Sequence, residues 1–194
     1  MNVTLTLWAL LVSGFSFAQE KKPLPPPGIE AYKCIYSKRY SDKARLQLYP
    51  FNDYQTIKLV SYRYHGDNLP IRKSQVIEDS LIEEVTLSKQ DIIALTDVLY
   101  NNYTKGGLPP LKPLCSFAPR NAILFFDDKN SLREFLVICF HCSDYEKSSD
   151  QLNTGSDCTE KLEKLRKLFI EKGVKFGTDK NIERYPGETG ICCD

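Results

Sequence analysis

Histidine is scarce in this chain: only His65 and His141 occur among 194 residues. A Ser-His or Cys-His nucleophile would have to use one of those two. Neither stands in a nucleophile setting, and the sequence has no Gly-x-Ser-x-Gly, no His-Glu-x-x-His and no phosphate-cradling glycine loop. His65 falls in "YHGDN", where it reads as a solvated turn residue. An excess of one charge is also lacking: 26 basic and 25 acidic side chains leave a net charge of +1. No strongly basic field exists to attract nucleic acid, and no long basic run to hold an anionic membrane. Apolar residues at 42% and charged residues at 26% are ordinary for a packed core. The length suits one domain and is marginal for two.

Charge is missing altogether from residues 1–19. An apolar stretch from Val3 to Phe17 ends in Ser16-Phe17-Ala18, which fits the small-x-small cleavage rule. Residues 1–18 are therefore expected to be a signal peptide, although its start carries no Lys or Arg. Read as a membrane anchor, the stretch is short of the ~20 apolar residues a span needs, and Ser13 and Gly14 interrupt it. No cysteine lies near the cleavage point, so a lipid-attached N-terminus is not expected. Residues 19–30, with Pro23, Pro25, Pro26, Pro27 and Gly28, read as an extended tether. A single domain is expected over 31–194, secreted or periplasmic, with no stable membrane span after cleavage.

Hydrophobic periodicity gives the elements. Strands are expected over "ARLQLYPF" (44–51), "TIKLVSYRY" (56–64) and "SLIEEVTL" (80–87). Ser88 and Asp91 form a capping box for a helix ending near Asn102, with Ile92, Leu95, Val98 and Leu99 on its apolar face. "TKGGLPPLKPLC" (104–115) reads as an internal connection. "NAILFFD" (121–127) and "LREFLVICF" (132–140) form a hairpin around Asp128-Lys129-Asn130, apolar on nearly every residue. Residues 143–157 read as a loop. A second helix is expected from Cys158 to Lys172, capped by Asp157 and Glu160, with Cys158, Leu162, Leu165 and Phe169 as its stripe and Gly173 at its end. "VKFG" would be a last short strand. The fold class is α+β: a mainly antiparallel sheet with two helices packed on one face, the other face wet and showing Lys, Glu and Tyr.

Seven cysteines remain to be placed: Cys34, Cys115, Cys139, Cys142, Cys158, Cys192 and Cys193. In an oxidising compartment most should be disulfides, and an odd count leaves one thiol over. Cys139-Phe140-His141-Cys142 can be read three ways. A redox dithiol needs its first cysteine at a helix N-terminus, where dipole and amides favour the thiolate. The residues that follow, "SDYEKSSD", offer no apolar stripe for such a helix, and Asp144 and Glu146 would oppose a thiolate. A metal site could use Cys139, His141 and Cys142, completed by Cys115 or Cys158, but a second ligand pair of suitable spacing is missing. The third reading is a staple. If Asp127 faces Leu132 across the hairpin, Arg120 faces Cys139 and Cys115 runs near Cys142. Cys158 on the helix stripe would point at the same region. Cys115, Cys139, Cys142 and Cys158 then form one neighbourhood stitched by one or two disulfides, their connectivity open. One of Cys192 and Cys193 could bridge back to Cys34; a vicinal disulfide or a soft-metal grip are the alternatives.

Two further groups draw attention. Arg120 enters a buried hairpin and needs a carboxylate, carbonyl or ligand as partner, as a structural ion pair or a ligand contact. Asp127-Asp128 could be paired carboxylates, but at a hairpin tip they read as turn formers. Tyr54, Tyr62 and Tyr64 would suit a contact surface.

The run "CSFAPRNAILFFDDKNSLREFLVICFHC", followed by "CTEKLEKLRKLFIEKGVKFG", resembles a family of uncharacterised secreted bacterial proteins with a Pro-Arg hairpin ending Ile-Cys-Phe-x-Cys. The matching positions include Cys115, Pro119, Arg120, Cys139, Phe140, Cys142, Cys158 and Gly173, within residues 85–177. Ser116-Phe117-Ala118 departs from a tighter spacing between the cysteine and Pro-Arg. The resemblance implies an exported domain and attaches no activity. The residues favour a disulfide-stabilised binding module with no cofactor, whose partner is a protein or a cell-envelope component. The alternative is a thiol redox or metal-handling protein using Cys139, His141 and Cys142.

Overall fold

The computed structural model describes residues 29–65, 69–72, 75–105, 117–181 and 185–186. The expected signal peptide, most of the tether, Cys115, Cys192 and Cys193 lie outside the described residues.

A 3-10 turn over Ile29–Tyr32 opens the described chain, across the expected boundary between tether and domain. Then come β1 (Ile35–Tyr36), α1 (Asp42–Arg45), β2 (Thr56–Tyr62), β3 (Ile71–Arg72), β4 (Gln75–Val76) and β5 (Leu81–Thr86). These are followed by α2 (Lys89–Tyr100), β6 (Asn102–Tyr103), β7 (Asn121–Phe126), β8 (Leu132–Cys139), β9 (Asp144–Lys147) and α3 (Lys161–Glu171). Five strands form one antiparallel sheet in the order β5-β2-β7-β8-β9. The pairs β1-β6 and β3-β4 make two small ribbons. The class is α+β, mainly sheet.

Strand alternation sorts the sheet into two faces. Ile57, Leu59, Ile123, Phe125, Leu136 and Ile138 point to one, where Ile92, Leu95 and Leu99 of α2 and Leu165, Leu168 and Phe169 of α3 cover them. Both helices thus pack on the same face. The expectation of a wet second face fails. Val60, Tyr62, Ala122, Leu124 and Val137 are buried on it, beneath Leu69, Ile71, Val76 and Phe117. Nearly continuous apolar runs in β7 and β8 follow from this: a strand covered on both sides has no reason to alternate.

The register of the β7-β8 hairpin is the expected one from Asn121 opposite Ile138 to Phe125 opposite Glu134. A bulge then brings Phe126 opposite Leu132. At the tip, Asp127 accepts hydrogen bonds from the amides of Ser131 (2.8 Å) and Lys129 (2.9 Å), the work of a turn former. Those amides, with Arg133 and Lys129 nearby, hold its carboxyl below the usual range.

The capping box of α2 is present: the Ser88 amide donates to Asp91 (3.0 Å), and the Asp91 amide to Ser88 Oγ (3.3 Å). Three expectations fail. Residues 44–51 are no strand; Ser41 caps the short α1, and the chain then turns through a cis Tyr49-Pro50 bond. Arg45, read as a strand residue, is buried and held by Asp42, Asp97, Thr96 and the Tyr40 carbonyl, which a helical turn allows. The loop 143–157 contains β9, an edge strand too polar to be read as one. "VKFG" makes no strand. Glu83 accepts the Lys175 and Phe176 amides (both 2.9 Å), and Asn121 Nδ2 donates to the Phe176 carbonyl (2.9 Å), so the segment straps the sheet's end. Gly177 makes this possible. Its φ is +76°, and a Cβ there would stand 2.5 Å from Arg120 Cβ.

Candidate functional site

Cys139 ends β8, and Asp144 of β9 lies opposite it. The chain reverses through residues 140–143, with Ser143 at positive φ (+52°). Cys139 and Cys142 stand at disulfide distance, their Cα atoms 5.3 Å apart, and close this reversal. The Cys142 amide also donates to Cys139 Sγ at 3.1 Å. Both side chains are sealed, at 1% and 4% exposure. Phe140 between them packs edge-on against Phe169 of α3, centroids 5.3 Å apart. His141 is half-buried, with Nδ1 2.8 Å from the Lys180 carbonyl oxygen.

The chemistry of this arrangement follows from its position. A strand, β9, follows the motif where a reactive dithiol would have a helix N-terminus. Two sulfurs bonded to one another offer no thiolate to a metal. His141 turns its Nδ1 to a backbone carbonyl of the segment after α3. Among the described residues, no group of three or more His, Cys, Asp or Glu side chains is placed to hold a metal ion.

Cys158 is joined to neither of these cysteines. It pairs at disulfide distance with Cys34, Cα atoms 4.9 Å apart across 124 residues of sequence. This corrects the expected grouping of Cys158 with Cys139 and Cys142, and the expected pairing of Cys34 with the tail. The physical reason is the helix boundary. Helix α3 begins at Lys161, so Cys158 precedes it and does not share the stripe of Leu165 and Phe169. Glu160 does not cap the helix through its side chain. Its carboxylate instead accepts the Cys34 amide at 2.7 Å, and that bond first, with Thr159 and Lys33 contributing, holds it below the usual carboxylate range. The Thr159 amide adds a bond to the Tyr32 carbonyl (3.0 Å).

Arg120 is buried one residue before β7, and its guanidinium lies over the Tyr185 ring, 5.3 Å from the centroid. Tyr62, expected at a contact surface, is buried on the sheet face nearby, and burial drives its hydroxyl pKa well up. Tyr54 packs edge-on to Phe51, and Tyr64 is half-buried. His65 is exposed, next to residues 66–68, which lie outside the described residues.

The exposed aromatic surface lies elsewhere. Ile35 and Tyr36 of β1 and Tyr40 of the following loop are exposed at 36%, 52% and 39%. Tyr103 of β6 pairs with Ile35, and Arg39 stacks on its ring at 4.4 Å. These residues were missed because β1 and β6 are two residues long, too short for any periodicity to register.

Two buried charges were missed as well. Lys161, in an apparently solvent-facing run of helix, is buried and donates to the carbonyls of Leu99 (2.8 Å), Thr154 (2.9 Å) and Ser156 (2.5 Å). Burial pulls its pKa down to about 8, with Asp157 pulling the other way. Glu134 is buried on β8 and accepts from the hydroxyls of Tyr49 (2.8 Å), Ser149 (2.7 Å) and Ser148. Burial pushes its carboxyl up, but the three hydroxyls together outweigh it and hold it below the usual range.

Compared with family models, with curated proteins and with solved structures, the chain matches none. The fold and the sites together define an α+β protein with, among the described residues, two cysteine pairs at disulfide distance. Among the described residues, no helix is long and apolar enough to cross a membrane.

Proposed function

We propose that this chain is a secreted or periplasmic, disulfide-stabilised binding module that works without catalysis. One observation carries the reading: Cys139 and Cys142, the pair best suited to chemistry, are joined and sealed in the turn between β8 and β9. Thiol exchange requires an accessible sulfur and a stabilised thiolate. The apolar N-terminal stretch, the cysteine usage and the resemblance to secreted bacterial proteins support the compartment. The partner is a protein or an envelope component.

A second reading, thiol redox or metal handling, draws on one feature. The Cys142 amide directed at Cys139 Sγ would stabilise a thiolate on Cys139 once the pair was reduced. An insulin-reduction assay on the mature, oxidised chain, with zinc content measured alongside, separates the two. The binding reading expects no turnover above buffer and no metal. Turnover that disappears in Cys139→Ser, or stoichiometric zinc lost in that variant, would establish the second reading.

A further inference from the structure

We infer that the face built by β1, β6 and the loop joining β1 to α1 is the contact surface, and that it takes an acidic polypeptide segment. The inference rests on the binding-module reading above and names the partner's chemistry.

Four large apolar residues are exposed among the described residues, and three of them, Ile35, Tyr36 and Tyr40, lie within six positions of sequence. Arg39 sits between two rings, 4.4 Å from the centroid of Tyr103 and 6.0 Å from that of Tyr40. Tyrosine and arginine are enriched among the residues that anchor interfaces, tyrosine for large area buried at small loss of side-chain freedom and arginine for its planar, multiply donating guanidinium.

Charge is concentrated here as well. Residues 31–45 and 101–105 carry six basic side chains, Lys33, Lys38, Arg39, Lys43, Arg45 and Lys105, against one acidic, Asp42, while Glu160 reaches in to the Cys34 amide and Asp97 to Arg45 and Asn101. The whole chain has a net charge of only +1. Arg45 is buried and paired with Asp42 and Asp97. Lys33 lies near the Glu160 carboxylate, and four cations, Lys38, Arg39, Lys43 and Lys105, remain exposed in the segments that carry the aromatic residues. Such a field selects carboxylate-bearing partners and speeds their arrival. Ile35 decides between polymers: an exposed aliphatic residue beside tyrosines seats an apolar side chain, which an acidic peptide can supply and an anionic glycan cannot.

The face is held rigid. Cys34, one residue before β1, is joined to Cys158. The Ser37 amide donates to the Asn101 carbonyl (3.0 Å), and the Asn101 side chain binds both the Tyr40 amide (3.1 Å) and the Tyr40 carbonyl (3.2 Å). A preformed surface loses less freedom on binding.

The test uses the full mature chain, oxidised and isotope-labelled, titrated with three probes: a synthetic Glu/Tyr peptide, polygalacturonate and phosphatidylglycerol vesicles. The peptide should shift amides of residues 33–43 and 101–105 and no others. Its affinity should fall about tenfold on moving from low to physiological salt. Tyr36→Ala and Arg39→Glu, both exposed positions expected to leave the melting temperature unchanged, should each weaken it at least tenfold. Lys129→Glu at the far hairpin tip should leave it intact. Shifts elsewhere, unchanged affinity in Arg39→Glu, binding of none of the probes, or binding to polygalacturonate or vesicles in preference to the peptide would each overturn the inference. A native partner whose capture survives both face variants would overturn it too, while leaving the binding-module reading standing. Disulfide reductase turnover would instead remove that reading.

Discussion

Lys161 shows how one residue can invert its sequence reading. It sits among Lys164 and Lys167 in a run that looks solvated, yet its ammonium closes three carbonyls where the end of α2 meets the loop before α3. Gly155, at φ +70°, allows the approach, because a Cβ there would lie 2.4 Å from the Leu99 carbonyl oxygen. Nothing in composition distinguishes Lys161 from its neighbours; only the fold brings the carbonyls to it. Lys161→Met should destabilise the protein by about 3 kcal/mol, because buried acceptors are left without donors. Denaturant unfolding checks this, and Lys164→Met should cost little by the same measure.

Tyrosine makes a second prediction at this scale. Burial, then the hydrogen bond to Glu134, raises Tyr49 to about 12. Burial also raises Tyr62, Tyr100 and Tyr145 above their ordinary value. A group whose pKa is higher in the folded state contributes stability that is fully present below the unfolded pKa of about 10 and is lost as pH rises toward the folded value. The protein should therefore unfold in alkali. An absorbance titration should show a set of tyrosines that ionises only together with loss of near-ultraviolet circular dichroism. Smooth ionisation of all eleven tyrosines near pH 10, with the fold intact, would count against the buried placements.

At the scale of elements, what could be read in the sequence divides by length and by burial. The capping box at Ser88 and the long apolar strands β7 and β8 were legible, including most of their register. Their signals are local and repeated. The two-residue strands β1 and β6 and the polar edge strand β9 were not, because their pairing depends on distant partners. Cys34 belongs with these: its bond to Cys158 spans 124 positions, and spacing carries no information about it. Replacing both by alanine should cost about 2–4 kcal/mol. Hydrogen exchange should quicken first at Ile35, Tyr36 and Tyr103, the ribbon that this bond secures, and much less at β7. The strap after α3 allows a sharper test. Gly177→Ala places a Cβ against Arg120 and Asn121 in a backbone conformation that favours glycine, and should destabilise by about 2–3 kcal/mol. Gly173→Ala, where a Cβ would meet nothing within 4 Å, isolates the backbone part of that cost.

For the whole molecule, both faces of the central sheet are covered, one by α2 and α3 and the other by the β3-β4 ribbon and Phe117. The wet face of Lys, Glu and Tyr expected of the sheet survives only at the β5 edge, where Ile82, Glu84 and Thr86 are exposed. Lys58 pairs with Glu84 (2.8 Å) at the margin, while Tyr62 goes inside. Cys139 and Cys142, which looked reactive in the sequence, are paired and buried at the end of that sheet. An even overall charge concealed the basic, aromatic face around β1 because acidic residues elsewhere balance it. Differential alkylation of the native, mature chain tests the central claim, that Cys139–Cys142 is a structural clip. Under dithiothreitol without denaturant, both should stay unlabelled until the protein is unfolded with urea. Rapid labelling of Cys139 in the folded protein would contradict it.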